Sequence, residues 1–266
     1  MHSLAPEQTS QPPAAGTGAD RVLATLAQLA RHPRGVDLQD LARELGLPKS
    51  TVHRALAALV RAGFAERAGR GRYRLGLQLV RLAFEFHEER DDARLVEPAL
   101  EALAERFGET AHYAVLDGAE VVYLAKVVPR GQSVRMTSTV GGRNPGHCTG
   151  VGKALLAHAL TDGAEVERFV DEHGPLVART AQTLVSASTL AAELDSTRVR
   201  GYALDREESE AGVVCLAMPV FLDSRANPSG AISVSALVHR TALETLEGAA
   251  EEIRKIIETA VGPVTR

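Results

Sequence analysis

The stretch LPKSTVHRALAALVRAGF, residues 47–64, decides the fold of the N-terminal region. Its apolar side chains recur at the spacing of one helix face, with Pro48 suited to the first helical position and Gly63 to the end. The first turn instead carries short hydroxyls and cations on the side that faces away from this stripe. The predicted buried face consists of Val52, Ala55, Leu56, Leu59 and Val60.

The segments around this stretch predict a winged helix-turn-helix domain. Asp20 is suited to cap a first helix, and Asp37 is suited to cap a second. The sequence GLP at residues 46–48 then makes a tight turn into the third helix. Two short strands, at 64–67 and 73–75, flank a Gly-rich turn. Helix, helix-turn-helix and basic hairpin together are the plan of a winged helix-turn-helix module.

The polar first turn and the hairpin arginines predict a surface for double-stranded DNA. A recognition helix points its N-terminal turn at the major groove, where N–H groups and hydroxyls reach phosphates and Arg or His reaches base edges. Residues 21–81 contain 12 Lys and Arg against 4 Asp and Glu, whereas residues 82–266 contain 18 against 28. A solvated helix start is the alternative, but the neighbouring helix, turn and hairpin favour DNA. The predicted DNA-binding residues are Lys49, Ser50, Thr51, His53, Arg54, Arg67, Arg70, Arg72 and Arg74.

The composition excludes several classes of protein. The 266 residues are enough for two domains, and 24% charged with 45% hydrophobic residues is ordinary for a globular protein. No apolar run approaches the roughly 20 residues that a membrane span needs, and no signal peptide is recognisable. Cys148 and Cys215 are too few for a disulfide framework, so a reduced, cytoplasmic protein is predicted. No metal-ligand spacing occurs, and no cofactor is expected.

Four regions are predicted along the chain. Residues 1–19 are rich in Pro, Ala, Gly and Ser and are expected to be a disordered arm. The winged helix-turn-helix domain follows at 20–76, a connecting helix at 77–91, and a larger domain at 92–266. Strands, hairpins and helices are mixed in the larger domain, which predicts the α+β class.

Within the larger domain, alternation and helical periodicity predict individual elements. A hairpin is closed by the turn at Asp117-Gly118, and strands are expected near 132–138, 213–221 and 231–238. Helices are expected near 92–107, 149–160, 164–172 and 188–200, with one long helix at about 240–261.

The connecting helix has apolar side chains on two sides, which predicts a contact with a second subunit. Such a helix must bury one of its sides against something other than its own domain. Packing on the C-terminal domain alone is the alternative. The predicted dimerisation residues are Leu79, Leu82, Phe84 and Phe86.

Two strands near the C-terminus each have one bulky face and one small face. Cys215 and Ala217 share the small face of VVCLAMPVF, and Ser233 and Ser235 share that of AISVSALV. A sheet surface that faces solvent normally carries longer polar side chains. The small face fits either the floor of a ligand pocket or a closely packed helix, and the pattern leaves both open.

Other candidate chemistry is weaker. His147 and Cys148 are adjacent and suggest a nucleophile or half of a metal site, but they have no third partner in sequence. A thiol- or metal-sensing regulator, or an enzyme that uses Cys148 or Cys215, is therefore kept as the alternative function.

Five stretches carry a resemblance to a known family: LARELGLPKSTVHRALAALVRAGFAER, GRYRLG, GHCTGVGKALLA, GYALDREESEAGVVCLAMPVF and GAISVSA. Together they resemble the IclR family of bacterial transcriptional regulators. The resemblance implies a GAF-like effector-binding domain behind the winged helix-turn-helix domain, and regulation without catalysis. It also implies a homodimer or dimer of dimers on operator DNA. The implied effectors are small organic acids or aromatic metabolites, with an organic acid and repression favoured.

The resemblance also implies the position of the effector site. The family's acidic residue, cysteine and two serines match Asp205, Cys215, Ser233 and Ser235. Backbone N–H groups in the loop and helix start that follow Cys148 are implied to hold the effector's carboxylate. Gly150 stands where Ala is commoner and is expected to enlarge the pocket slightly. The implied effector-binding residues are Thr149, Gly150, Val151, Asp205, Cys215, Ser233 and Ser235.

Overall fold

The structure is a computed structural model that describes residues 17–69, 71–89, 91–129, 136–224 and 226–261, without the side chains of 86–89 and 91. The chain divides after Glu89 into two compact units. The first sixteen residues of the predicted disordered arm lie outside the described ranges. No helix in these ranges is both long and apolar enough to cross a membrane.

In its described residues the first unit contains four helices and a three-stranded antiparallel sheet of order β1-β3-β2. Its elements are α1 (Gly18–Ala30), β1 (Val36–Asp37), α2 (Leu38–Glu44), α3 (Lys49–Arg61), β2 (Ala65–Ala68), β3 (Arg72–Leu75) and α4 (Leu77–Glu89).

Side-chain caps set where the first two helices begin. The Thr17 side chain accepts the N–H of Asp20, and the Asp20 carboxylate accepts the N–H of Thr17 at 2.6 Å. The predicted cap at Asp20 is therefore wrong by one turn, because Asp20 is the second member of a capping box that Thr17 opens. Asp37 caps α2 as predicted, accepting the N–H groups of Gln39 and Asp40 at 2.9 Å.

The recognition-type helix α3 buries the predicted face. Val52, Leu56 and Leu59 are almost fully buried, and they form one core with side chains from α1 and α2. Pro48 is the N-cap and not the first helical residue, with an extended ψ of 138°. Gly63 follows the helix with a positive φ of 77°, a conformation that glycine adopts without strain.

The second unit is built on a six-stranded antiparallel sheet of order β6-β5-β4-β9-β8-β7. A short 3-10 helix at Gly146–Cys148 precedes α6. The elements are α5 (Asp91–Phe107), β4 (Thr110–Asp117), β5 (Glu120–Val127), β6 (Arg143–Pro145), α6 (Gly150–Ala159), α7 (Gly163–His173), α8 (Ala187–Arg200), β7 (Ala203–Arg206), β8 (Val213–Val220), β9 (Gly230–Leu237), α9 (Leu243–Gly248) and α10 (Ala250–Val261).

The two faces of this sheet are covered by different helices. The bulky side chains of β8 and β9, such as Leu216 and Val234, are buried in one core with residues of α5 and α10. Helix α6 packs on the opposite, small-residue face, and α7 and α8 lie beside it. The α+β class is confirmed, because antiparallel strands and helices are mixed along this unit.

Three features of the second unit differ from the sequence-based expectation. The strand predicted near 132–138 falls mostly outside the described residues, and Met136–Ser138 is not a strand. The predicted helix at 240–261 is two helices, since α9 ends at Gly248, a residue with a high entropic cost inside a helix. The edge strand β7 has no apolar alternation, and its pairing with β8 defines it.

Candidate functional site

The exposed side of α3 carries the predicted DNA-binding residues of its first turn. Lys49, Ser50, His53 and Arg54 line one open depression together with Leu38 of α2. Lys49 Nζ donates to Gln39 at 3.2 Å. Within the described ranges His53 and Arg54 have no protein partner, so both side chains are available to an external ligand.

The N-terminus of α3 is open to an anion. Among the described residues no side chain caps it, and its first turn has no acidic residue. The N–H groups of Thr51 and Val52 bond to the Pro48 carbonyl at 2.9 and 3.2 Å. The N–H groups of Lys49 and Ser50 have no acceptor in the described structure. Free N–H groups and the positive end of the helix dipole together favour a phosphate here.

The predicted arginines of the hairpin have different surroundings. Arg67 lies over the Tyr73 ring, 6.0 Å from its centre. Arg72 donates to the Gly35 carbonyl, and Arg74 pairs with Glu66 at 2.5 Å. Arg72 and Arg74 are therefore already engaged within the domain, whereas Arg70 lies outside the described residues.

The predicted dimerisation stripe on α4 is exposed. Leu79, Leu82 and Phe84 are 36%, 40% and 63% exposed, and Leu77 at the start of the helix is 77% exposed. The Phe86 side chain lies outside the described part of the structure. An apolar stripe of this size on one helix is typical of a surface that another chain covers.

A cavity of about 50 Å³ lies on the α6 side of the large sheet. Its walls are the N-terminus of α6, the small faces of β8 and β9, residues 136–138, and the loop between β7 and β8. The structure brings all seven implied effector residues to this one cavity: Thr149, Gly150, Val151, Asp205, Cys215, Ser233 and Ser235.

The small sheet face both packs against a helix and borders the cavity. Ala203, Ala217 and Ala231 form one buried cluster with Val151 and Ala154 of α6, so a helix packs closely on them. Cys215 belongs to the same cluster and also borders the cavity, together with the two serines of β9. The small side chains therefore allow α6 to pack closely on the sheet, and they leave the cavity beside it.

Gly150 lets α6 approach the sheet and does not enlarge the cavity, contrary to the expectation from sequence. A Cβ at this position would lie 2.7 Å from Cys215 Sγ and 3.3 Å from Ala217 Cβ. The volume that an alanine methyl would occupy is thus already filled by the cysteine. Residues 150 and 215 are complementary in size.

We expect Gly150→Ala to lower the free energy of unfolding by about 1–3 kcal/mol, because the added methyl overpacks a filled contact. Cys215→Ala removes the sulfur, so the double variant is expected to be more stable than the two separate losses predict. Chemical denaturation followed by circular dichroism measures this coupling. Gly163→Ala is the control, since a Cβ there meets nothing within 4 Å. Additive losses, within about 0.5 kcal/mol, contradict the contact.

The N-terminus of α6 offers free N–H groups at the cavity. The Thr149 side chain caps the helix by accepting the N–H of Gly152 at 3.1 Å. The N–H groups of Gly150 and Val151 have no acceptor among the described residues. As in α3, the helix dipole adds to these donors and favours an anionic group.

The acidic side chains at the cavity are engaged in holding its walls. The Asp205 carboxylate accepts the Glu208 N–H at 2.7 Å and the Ser209 hydroxyl at 2.5 Å. Burial raises the pKa of Asp205. Glu210 accepts the Thr137 hydroxyl at 2.7 Å, which ties the β7–β8 loop to residues 136–138. Among the described residues, no Lys or Arg borders the cavity.

Sequence reasoning missed seven polar residues of the cavity wall. They are His112, Tyr123, Thr137, Ser138, Asn144, Ser209 and Glu210. His112 lies on β4 directly opposite Ser233 of β9. Alternation with Thr110 and Ala114 along β4 is a signal that places His112 on the small face. Tyr123 has no such signal, because its position depends on an irregularity in β5.

A bulge in β5 changes which side chains share a face. Tyr113 pairs with Ala125 while the next residue, Ala114, pairs with Tyr123, so Leu124 is the extra residue. Tyr123 and Lys126 are an odd number of positions apart and would face opposite sides of a regular strand. The bulge brings both to the cavity side.

The thiols do not support a redox or catalytic site. Cys148 and Cys215 are buried, and burial raises the pKa of each thiol to about 12. The reactive form is the thiolate, which such burial disfavours. The His147 ring lies 3.2 Å from the Val177 carbonyl. Nowhere in the described ranges do three potential metal-ligating side chains come together.

A buried network of charges lies behind the β7–β8 loop. Lys153 of α6 is 1% exposed and pairs with Glu208 of the loop. Its ammonium is 3.6 Å from Glu193 of α8, which pairs with Arg200 at 2.6 Å. The network joins α6, α8 and the β7–β8 loop, whose Glu208 and Ser209 bond to Asp205 at the cavity.

Comparison with known proteins agrees with this two-unit organisation. Residues 18–69 match the family described as IclR helix-turn-helix domain. Residues 88–260 match the family described as Bacterial transcriptional regulator IclR C-terminal. Together the two matches span most of the chain.

Individual relatives match over most of their own length. The transcriptional repressor IclR of Escherichia coli K12 is 36% identical over 224 residues, which cover 83% of this chain and 80% of that protein. The acetate operon repressor of Salmonella typhimurium is 35% identical over 217 residues, which cover 81% and 78%. A crystal structure of an IclR homologue from Microbacterium hydrocarbonoxydans, complexed with 4-hydroxybenzoate, is 26% identical with a TM-score of 0.71 and covers 91% of this chain and 100% of that chain. The chain therefore belongs to the IclR family of bacterial transcriptional regulators, which are DNA-binding regulators and not enzymes.

Proposed function

We propose that this regulator is a repressor whose affinity for operator DNA is set by a small organic acid bound in the cavity beside α6. The observation that carries the proposal is the convergence of free N–H groups and small hydroxyl side chains on one cavity. The names of the Escherichia coli and Salmonella relatives support repression. The 4-hydroxybenzoate complex of the Microbacterium homologue supports an acid as ligand.

The carboxylate of the effector is assigned to the N-terminus of α6. The N–H groups of Gly150 and Val151 donate to it without introducing a charged side chain. Ser233 and Ser235 are then placed to bond the remaining polar atoms of the ligand. A small organic acid is therefore the proposed class.

The assembly on DNA is proposed to be a homodimer or a dimer of dimers. The exposed stripe of Leu79, Leu82 and Phe84 supports contact with a second copy through α4. A symmetric dimer presents two copies of α3 to two half-sites of a palindromic operator. Because operator DNA of a bacterium lies in the cytoplasm, the protein is proposed to act there.

We expect Ser235→Leu to abolish binding of the effector while leaving the affinity of the free protein for DNA unchanged, because leucine fills the cavity. Calorimetric titration with short monocarboxylic acids and with 4-hydroxybenzoate measures the first effect, and operator binding with and without acid measures the second. Ser196→Leu, on an exposed position of α8, is the control. Equal affinities of wild type and Ser235→Leu for the acid place the effector site elsewhere.

We expect Arg54→Ala to weaken binding to the operator by about 1–3 kcal/mol and to affect random DNA much less. The reason is that Arg54 has no partner among the described residues and lies on the exposed side of α3. The operator is first recovered by selection from random duplexes. Fluorescence anisotropy on both duplexes gives the two affinities. Arg61→Ala, at the far end of α3, is the matched control. An equal loss on the two duplexes shows that Arg54 contacts phosphate only.

A further inference from the structure

Four polar side chains form a chain of hydrogen bonds that ends at the cavity. Lys126 Nζ of β5 is 3.1 Å from Ser138 Oγ. Ser138 Oγ is 2.8 Å from His112 Nε2 on β4. His112 Nδ1 is 3.3 Å from Ser235 Oγ on β9. The last three side chains border the cavity, whereas Lys126 stands outside it.

The charge of Lys126 sets the direction of the first bond. An ammonium group donates and never accepts, so Ser138 Oγ is the acceptor. Lys126 also donates to the carbonyls of Met136 and Ser138, at 3.2 and 2.6 Å, which fixes its position. In the described structure the proton of the Ser138 hydroxyl then has one acceptor, His112 Nε2.

The bond from the Ser138 hydroxyl determines which ring nitrogen of His112 carries the proton. Burial, reinforced by the nearby charge of Lys126, lowers the pKa of His112 to about 3, so the imidazole is neutral. A neutral imidazole has one donor nitrogen and one acceptor nitrogen. Since Nε2 accepts from Ser138, Nδ1 carries the proton and donates it to Ser235 Oγ.

Ser235 is left with its own proton to donate. The protein acceptors beside this proton are weak: Ser233 Oγ is 3.4 Å away, and the Cys215 thiol lies opposite Ser235 on β8. An effector oxygen at a normal hydrogen-bond distance replaces either of them as the acceptor. We propose that Lys126 and His112 are specificity-determining residues: they fix Ser235 as a donor into the cavity and so select an effector with an unprotonated oxygen at this point. The proposal rests on the proposed role of the cavity as the effector site.

The other tautomer of His112 would select a different class of ligand. If His112 carried its proton on Nε2, Ser138 would accept from both Lys126 and His112, and its own proton would have no acceptor in the described ranges. Ser235 would then donate to Nδ1 and present only lone pairs to the cavity. That arrangement selects a ligand group that donates, so the tautomer of His112 decides between two classes of ligand.

The first test needs no ligand. The full-length protein is labelled with ¹⁵N-histidine, and the two ring nitrogens of His112 are identified by their loss in His112→Gln. At neutral pH we expect a protonated Nδ1 and a bare Nε2. A proton on Nε2, or on both nitrogens, overturns the proposal.

The second test removes the group that sets the direction. In Lys126→Met, the Ser138 hydroxyl is free to accept from Nε2, so we expect the signals of His112 to show a mixture of tautomers or the Nε2-protonated form. Lys255→Met, on an exposed position of α10, is the control and is expected to keep the wild-type tautomer. An unchanged tautomer in Lys126→Met shows that Lys126 does not set the direction.

The third test uses two small probes of similar size. Acetate only accepts hydrogen bonds through its oxygens, whereas methylammonium only donates. We expect acetate, and not methylammonium, to shift the His112 Nδ1 resonance saturably. Ser235→Ala is expected to weaken acetate roughly tenfold, the effect of one bond to a charged group. Methylammonium shifting the resonance in place of acetate overturns the proposal.

These tests distinguish a wrong hydrogen-bond direction at Ser235 from a wrong assignment of the effector site. If neither acetate nor longer acids bind while Nδ1 carries the proton, the effector assignment fails and the direction of the chain stands. If acids bind at the cavity while Nε2 carries the proton, the effector site stands and the proposal is overturned.

Discussion

Lys153→Met is expected to lower the free energy of unfolding by about 3–5 kcal/mol, the range observed when one partner of a buried ion pair is removed. Lys153 is almost fully buried between α6 and the β7–β8 loop, where it pairs with Glu208. Methionine matches the length of the lysine stem, so the packing changes little. The loss comes from the Glu208 carboxylate, which is left buried without its countercharge.

The environment of Glu208 shows why the loss of Lys153 is costly. Burial raises the pKa of Glu208, while the charge of Lys153 acts in the opposite direction. Its second oxygen, Oε2, has no hydrogen-bond partner in the described structure. Without Lys153 the carboxyl group is expected to take up a proton at neutral pH, which limits the loss of stability. The double variant Lys153→Met/Glu208→Gln is therefore expected to recover most of it.

Chemical denaturation followed by circular dichroism measures the free energy of unfolding. Arg106→Met is the matched control, because the ion pair of Arg106 and Glu252, at 2.5 Å, is exposed to solvent. An exposed pair contributes only about 0–1 kcal/mol. A loss in Lys153→Met no larger than that in Arg106→Met contradicts the role assigned to the buried network.

Ser50→Glu is expected to abolish binding to both operator and random DNA while leaving the protein as stable as wild type or slightly more stable. A carboxylate in the first turn of a helix interacts favourably with the dipole, by about 0.3–1 kcal/mol. The same carboxylate, placed where a DNA phosphate is proposed to lie, creates a like-charge contact that costs several kcal/mol. The affinity is therefore expected to fall by about 100-fold or more.

Two measurements on Ser50→Glu test whether DNA affinity falls while stability does not. Thermal denaturation reports stability, and fluorescence anisotropy with random and operator duplexes reports affinity. Ser188→Glu is the matched control, since it adds the same charge to the first turn of α8, which also has no acidic residue there. It is expected to bind DNA normally. If Ser50→Glu binds random DNA as tightly as the wild-type protein does, the N-terminus of α3 does not contact the DNA backbone.

The elements of this protein follow closely from its sequence where the signal is local. The buried face of α3, the cap at Asp37 and the glycine after α3 each depend on residues within a few positions of one another. The small face of β8 and β9 is also local, because alternation along a strand needs no knowledge of its partner. The sequence therefore determined the helix-turn-helix unit, the bulky core face, and the residues that were candidates for the cavity.

The surroundings of the cavity residues depend on contacts between segments that are distant in sequence. Nothing near Gly150 in sequence shows that Cys215 fills the space beside it, and nothing near Arg72 shows that the Gly35 carbonyl holds it. The partners of these residues come from other strands and loops. A pairwise contact of this kind has no periodicity, so it is visible only once the chain is folded.

The bulge in β5 is the clearest case of a feature that the sequence alone does not reveal. By itself the sequence placed Tyr123 and Lys126 on opposite sides of a regular strand. The extra residue at Leu124 reverses that alternation, because side chains change face at every residue and one unpaired residue shifts all that follow. Only the paired sheet could therefore bring Lys126 to Ser138 and His112, and with them the polarity proposed for the cavity.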